Sequence, residues 1–570
     1  MTALHLPAPA PPRAVLFGFP PVGKRWPGAV RAALALGIPA SIVAALGYHQ
    51  QALTVAIGAF AVLYGEGKAY RARWKVVTIA AVALAGSAWF GALVGRPVHR
   101  AIAEGHTHFL LLWVVVAMTT VGLAAAYAAD ALRLGPPGGF FFILATEIGS
   151  LIAGSGMPPA EIAGWGAVGG ASSLIVSMSG LLRDPRAPER AAVAAAGSAV
   201  DAYATADRSS ATAPRARHLA SLKLQAAWHC LDDGGLLDGS RERRRHRSDH
   251  PLVGQLGATQ VRLSAALSAD PTVDPDSDLD DIRPLVPMPR PGIRYRLVRS
   301  LHPNSHAWTA ALRLLVACLI AGTVAVAIGS KRPDWAVIAA ALVLHQGPDR
   351  IMGTYRGVHR IVGTALGLLL FAALYELDPT GLWLILLLAA LQFMVEMLVA
   401  RNYGIAVVFI TPLALLMGGS ATLAASPASA MGERLVETAV GVCVALAVLW
   451  TVDRRSHRRI LRWVDGRVAQ LIAATARRLD GAPAGAPAVL ELRRDLEFEL
   501  AGSAMAGVDA AHNDPAWTAP RWPAHSELHH LGYDVLGGLW ALPPDGRPDT
   551  ATTAQWSRRL NALAEARARM

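Results

Sequence analysis

Apolar residues gather into runs near 29–47, 51–64, 76–95, 108–129, 139–154 and 162–182, and again near 307–329, 335–346, 361–376, 381–400, 403–419 and 434–452. Short polar joints separate them, and long polar stretches cover 183–306 and 453–570. The runs do not alternate in the period of a strand, and most are long enough for a helix rising about 1.5 Å per residue through about 30 Å of hydrocarbon. The pattern therefore predicts an all-α polytopic membrane protein with about twelve transmembrane helices. They fall into two six-span blocks, 29–182 and 307–452, after an N-terminal segment 1–28. A helical linker 183–306 joins the blocks, and a helical tail 453–570 follows.

In the polar stretches, spaced apolar positions predict helices at 189–206, near 253–267, and at 456–479, 487–508 and 551–569. Stretches 232–252 and 268–292, rich in Asp, Pro, Gly and Arg, read as loops. Residues 513–530 read as a Pro/Trp/His-rich interval.

Composition supports a membrane chain: 53% of the 570 residues are hydrophobic and only 16% are charged, against about a quarter charged in a soluble domain. The net charge of +12 first suggests nucleic acid, but its distribution points to the bilayer instead. Alternate short flanks hold Lys24, Arg25, Lys68, Arg71, Arg73, Lys75, Arg133, Arg183, Arg350, Arg356, Arg360, Arg401, Arg454 and Arg455, while the opposite flanks hold Arg96, Arg100, Lys331 and Arg332. Basic short loops stay on the cytoplasmic side. The expected location is the inner or plasma membrane, with both termini, linker and tail in the cytoplasm and no nucleic-acid partner. Cys318 and Cys443 lie in apolar runs, so no disulfide framework is expected.

The two blocks echo each other. Val30-Arg31-Ala32 through Gly47 matches Leu312-Arg313-Leu314 through Gly329. Tyr70-Arg71 with Lys75 matches Tyr355-Arg356 with Arg360, Gly139–Thr146 matches Gly404–Thr411, and Glu161–Gly169 matches Glu433–Gly441. An even number of spans per unit makes the repeats parallel. The runs 51–64 and 335–346 are short for a full crossing, and Pro412 interrupts the run 403–419. Short or broken segments at matching places point to a transport site, although a packing kink explains the proline equally well.

The segment Gly353–Thr364 is the most distinctive. Arg356 and Arg360 share a helix face four residues apart, and paired guanidinium groups suit carboxylates; lipid anchoring is the alternative. Tyr355, Tyr403, Thr411 and, in the first block, Arg71, Lys75 and Thr146 complete the candidate substrate-binding set. Glu147 and Glu396 lie in apolar runs, where a carboxylate costs about 2.5–3.5 kcal/mol, and they are the proton-coupling candidates; a structural hydrogen bond is the plainer role for Glu147.

Trp335–Gly419, with its Arg-Gly-x-x-Arg-x-x-Gly-Thr segment, Arg401-Asn402-Tyr403 and Phe409-Ile410-Thr411-Pro412, resembles the fusaric acid resistance and aromatic acid exporter superfamily. The resemblance implies two six-span blocks around a cytoplasmic helical region, and export of aromatic or other weak organic acids. The first block is less similar, since Tyr70-Arg71-Ala72-Arg73-Trp74-Lys75 lacks the Arg-Gly pair. Similarity to plant aluminium-activated malate transporters keeps a passive anion channel open, and an envelope scaffold without transport is a further alternative. The implied partners are small organic anions and the lipid bilayer, and a homo-oligomer is compatible with this reading.

Other signals carry less. Gly164–Gly169 fits a dinucleotide fingerprint but has no preceding strand, so helix packing is the better role. His99, Glu104, His106 and His108 lack metal-ligand spacing, and the basic run 241–247 fits a lipid-facing linker. No Walker motif is present. No metal, cofactor or catalytic constellation is expected, and the chain is not expected to be an enzyme.

Overall fold

The computed structural model describes residues 6–20, 23, 25–206, 213–237, 250–267, 291–345, 347, 349–417, 426–540, 542–543 and 545–569. Lys24, the basic run 241–247, nearly all of the loop 268–292 and the end of the run 403–419 lie outside them. Among the described residues the regular structure is entirely helical.

The first block comprises α1 (Trp26–Ala45), α2 (His49–Leu63, broken into short turns), α3 (Tyr70–Ala103), α4 (Leu111–Ala131), α5 (Phe140–Gly154) and α6 (Pro159–Met178). The linker holds α7 (Ala187–Ala204), α8 (Ala213–Asp233), α9 (Pro251–Leu267) and α10 (Ile293–Ser300). The second block comprises α11 (His306–Ala327), α12 (Asp334–Leu344), α13 (Arg350–Tyr375), α14 (Gly381–Leu398), α15 (Tyr403–Met417) and α16 (Pro427–Thr451). The tail holds α17 (Ser456–Leu479), α18 (Pro487–Asn513), α19 (Trp522–Trp540) and α20 (Thr550–Ala568). Every apolar run thus becomes a helix. Among the described residues, eight helices are long and apolar enough to cross a membrane, whereas α2, α5, α12 and α15 are shorter.

Helix starts follow local chemistry. The Ser305 hydroxyl accepts from the Trp308 N–H at 3.1 Å to cap α11, and the Asp349 carboxylate accepts from the Ile351 and Met352 N–H groups at 2.9 and 3.2 Å to cap α13. Each satisfies donors that a helix start leaves open.

Matching helices pack alike. In each block the third apolar helix packs on the fifth and sixth, and the second packs on the sixth. Between blocks, α1 packs on α14 and α11 packs on α4, so the first helix of each meets the fourth of the other. Glycines permit the closest crossings: a Cβ on Gly91 of α3 would lie 1.9 Å from the Thr146 carbonyl oxygen of α5, and one on Gly367 of α13 would lie 2.7 Å from the Thr411 Cβ of α15. The packing that serves Thr146 in one block serves its match Thr411 in the other. A Cβ on Gly367 would also lie 2.9 Å from the Val408 carbonyl, the one that Pro412 leaves without its helical donor. The proline therefore sits within a helix crossing.

All eleven residues of α12 are buried, and α12 forms the centre of an apolar cluster containing Val115, Met118 and Ile143 from the first block and Leu314, Val442 and Leu449 from the second. Linker and tail share another core, with Val193, Leu224, Trp228 and Leu256 packed together with Val468, Leu496, Leu528 and Leu536. Two segments far apart in sequence thus build one helical body. Three elements depart from the sequence expectation: α8 and α10 were not foreseen, and α19 begins inside the interval read as Pro/Trp/His-rich. Pro523 causes no break there because it stands in the first turn of α19, where its missing N–H has no helical acceptor.

Candidate functional site

Helices α13 and α16 enter the second block from opposite ends and pack on one another and on α12. Arg360 lies ten residues after the start of α13, about 15 Å along it. Arg434 lies seven residues after the start of α16, about 10 Å along it. The two guanidinium groups come within electrostatic reach of each other, and each residue is 1% exposed.

Nε and Nη1 of both arginines lack hydrogen-bond partners among the described residues. The Tyr403 hydroxyl stands beside Arg360. Around the pair, the hydroxyls of Thr364 and Thr438 and the Oε2 of Glu437 are likewise buried without partners among the described residues. A buried polar group without a partner costs about 1–3 kcal/mol, more for a charge. Such a gathering of unused donors on two cations suits an anion that supplies acceptors.

The neighbouring charges are committed. Arg332 donates from Nη2 to Glu147 Oε1 at 2.7 Å and to Asp334 Oδ2 at 2.9 Å, and from Nε to Asp334 Oδ1 at 3.1 Å. Ser330 donates to Glu437 Oε1. The Trp335 ring carries the Arg434 guanidinium 3.3 Å from its centroid, with Arg332 at 5.1 Å; cation–π attraction of this kind helps offset desolvation. Because Glu147 belongs to α5, its bond to Arg332 ties the first block to the second. The structural role weighed for Glu147 is therefore occupied by a named partner.

The remaining sequence candidates occupy varied places. Arg356 donates from Nη1 to the Val343 carbonyl at 2.7 Å, near the end of α12, and Tyr355 is half-buried beside it. Thr411 and Thr146 donate to carbonyls of their own helices, Val407 at 3.0 Å and Phe142 at 2.8 Å. Glu396 accepts from Gln392 Nε2 at 3.4 Å. Arg71 and Lys75 are exposed, with Arg71 against Gly235 of the linker and Lys75 5.8 Å from the Trp74 ring centroid. The structure thus unites Arg360 and Tyr403 near Arg356 and leaves the first-block basic pair elsewhere.

Sequence reasoning overlooked Arg434, Glu437 and the pairing role of Arg332. Arg434 was the legible one, since an arginine eight residues into an apolar helix needs a partner or a ligand. A separate buried network lies in the tail. The Asp465 carboxylate accepts from Ser503 at 2.5 Å, His525 Nδ1 at 3.1 Å and Arg567 Nη2 at 2.7 Å, and His529 Nε2 lies 2.9 Å from the Ser503 oxygen. Asp465, His525 and His529 offer ligand atoms within 4.8 Å of one another, but protein partners already engage them.

Residues 314–448 match the family model described as fusaric acid resistance protein-like. The similarity to that family therefore covers most of the second block. Arg356, Arg360, Tyr403, Arg434 and Glu437 all fall inside the matched stretch. The chain is also 24% identical to the Uncharacterized membrane protein YvaC of Bacillus subtilis (strain 168), over 90% of this chain and 85% of that relative. No solved structure matches it significantly.

Proposed function

We propose that this protein is an inner-membrane transporter that exports aromatic or other weak organic acids, with all twelve apolar helices crossing the bilayer as two parallel six-span repeats. Both termini, the linker and the tail lie in the cytoplasm. An anion enters beside Tyr355 and Arg356, is held by Arg360, Arg434 and Tyr403, and leaves past the Arg332–Glu147 pair. Thr411 and Thr146 flank the route at matching crossings, Arg71 and Lys75 gather anions at the cytoplasmic face of the first block, and Glu147 and Glu396 exchange protons.

The observation that carries this reading is the pair of buried guanidinium groups with unused N–H donors. A charge at membrane depth costs about 2.5–3.5 kcal/mol on insertion scales, and a carboxylate accepting from both arginines would offset much of it. The equivalent packing of the two blocks supports the repeat, and the fusaric acid resistance-like match supports transport rather than catalysis.

A passive anion channel is the second reading, favoured by Arg332, whose hold on Glu147 leaves that carboxylate without a free proton-coupling role. Flux of aromatic carboxylates into proteoliposomes, with and without an imposed proton gradient, separates the two. Exchange predicts accumulation that collapses with the gradient, and a channel predicts flux that ignores it. No protein-dependent flux of any acid would leave a scaffold.

A further inference from the structure

Helix α10 is built inside out. It stands directly before α11, the first helix of the second block. One side of it holds Ile293, Leu297 and, at its C-terminal cap, Leu301, each four residues after the last, with Val298 beside them. The other side holds Tyr295, Arg296 and Arg299, which share a face at helical spacings. A helix on a protein surface ordinarily turns its apolar stripe inward and its charges to water. Here Ile293, Val298 and Leu301 are each more than half exposed, while Arg296 is buried.

Polar contacts hold that orientation in place. Arg299 donates from Nε to Glu499 Oε1 of α18 at 2.5 Å and from Nη2 to Oε2 of the same carboxylate, and its guanidinium lies 4.5 Å from the ring centroid of Trp463 on α17. Arg467 of α17 donates to the Tyr295 hydroxyl at 2.9 Å. On the membrane side, Arg296 donates from Nη1 to the Leu132 carbonyl at 2.7 Å, just past the end of α4, and the Tyr127 hydroxyl of α4 donates to the Leu297 carbonyl at 2.6 Å. Two tail helices thus take the polar side of α10, and α4 fixes it at the level of its own last turn.

Both α4 and α11 are long and apolar enough to cross a membrane, so α10 sits where one such helix ends and the other is about to begin. The apolar patch continues onto its neighbours: Leu134, two residues after Leu132, and Trp308, in the first turn of α11, are exposed as well. A contiguous apolar surface marks an interaction site. At the end of a membrane-length helix the medium that meets it is lipid, and the boundary between headgroups and acyl chains is where in-plane amphipathic helices lie. Arg294, exposed beside Ile293, has a side chain long enough to keep its charge at the headgroups from there.

We propose that α10 is an in-plane membrane helix: Ile293, Leu297, Val298 and Leu301 enter the acyl chains of the leaflet nearest the linker and tail, and the opposite face carries the tail. Its partner is bilayer phospholipid, and it fastens the tail to the membrane surface as well as to the membrane helices. This placement rests on α4 and α11 crossing the bilayer and holds whatever the protein carries.

The test is lipid quenching in the full-length protein. V298C and L301C, with I320C on the exposed side of α11 and S557C on the exposed side of α20 as controls, are labelled with bimane and reconstituted in phosphatidylcholine brominated on its acyl chains. Labelled wild type is subtracted for the native cysteines. Labels at 298 and 301 should be quenched at least about half as much as the label at 320, and at least about twofold more than the label at 557, as an apolar face buried at the headgroup boundary requires. I293C replaces V298C if that variant does not reach the membrane. Labels at 298 and 301 quenched no more than the one at 557 overturn the in-plane helix. So does a disulfide-linked dimer of unlabelled V298C that wild type does not form, which would assign the face to a second copy of the chain. A label at 320 that escapes quenching overturns the crossing of α11 itself.

Discussion

The two membrane blocks share helix order and packing but differ in what they bury. In the second, α13 and α16 enclose Arg360, Arg434 and Glu437. In the first, the residue matched to Arg360 is the exposed Lys75, and those matched to Arg434 and Glu437 are Ile162 and Trp165. Ile162 is fully buried in an apolar cluster with Ile57 and Leu84. The difference teaches that the same helix packing is reached with small residues at the crossings, whether or not costly buried charges lie beside them.

The largest expected effect tests this asymmetry directly. R360M or R434M should lower anion flux by about tenfold or more, the value of one lost hydrogen bond to a charge, whereas R71A and K75A should change it by less than about twofold, as surface charges do. R360M should melt at an equal or higher temperature, because it removes a buried charge two of whose nitrogens lack partners among the described residues. A lower melting temperature would make Arg360 structural and remove the chemical contrast.

Next is the bond between the blocks. E147Q keeps an acceptor oxygen but takes one countercharge from the buried Arg332, and breaking the ion pair in this way should cost up to about 3–5 kcal/mol, read as a fall in melting temperature in detergent. The double variant E147Q/R332M should recover most of that loss, and a double variant as unstable as the single one would show that the pair is not what joins the blocks.

A smaller effect follows from placing the second block's charge in the first. I162R should reduce folded yield by an amount matching about 2.5–3.5 kcal/mol, because no partner awaits it beside α2 and α3. Normal yield would mean that the first block also admits water or an anion.

The smallest effect lies in the tail. Burial and the neighbouring His525 hold His529 well below its usual value. The unfolded tail therefore takes up a proton below about pH 6.5 that the folded tail refuses, and stability should fall as pH drops through that range. H529Q should flatten that part of the pH–melting curve, and an unchanged slope would show that another group is responsible.

How far these regions were legible differs in the same way. Each apolar run became a helix, and the runs singled out as short or interrupted, 51–64, 335–346 and 403–419, are three of the four shorter apolar helices, Phe140–Gly154 being the fourth. The Gly-to-Thr match was read only as a sign of an internal repeat; that Thr146 and Thr411 each lie against a glycine, Gly91 and Gly367, appeared only in the packing. Arg434 went unnoticed because most of its surroundings are distant in sequence: Glu437 is on its own helix, but its ring is Trp335 and its cationic neighbours are Arg332 and Arg360. Arg71 and Lys75 carried the right spacing, but spacing does not say which side of a helix meets protein.

Hydrophobic period determined by itself an apolar, all-helical chain with long membrane-length helices, since helix formation and apolar length depend on local transfer energies. Only the tertiary structure decided that linker and tail form one body, that Glu147 answers Arg332 across the blocks, and that Arg360 and Arg434 meet with donors unused. Electrostatic partnership depends on distances of a few ångströms between residues far apart in the chain, and those distances exist only once the helices have packed.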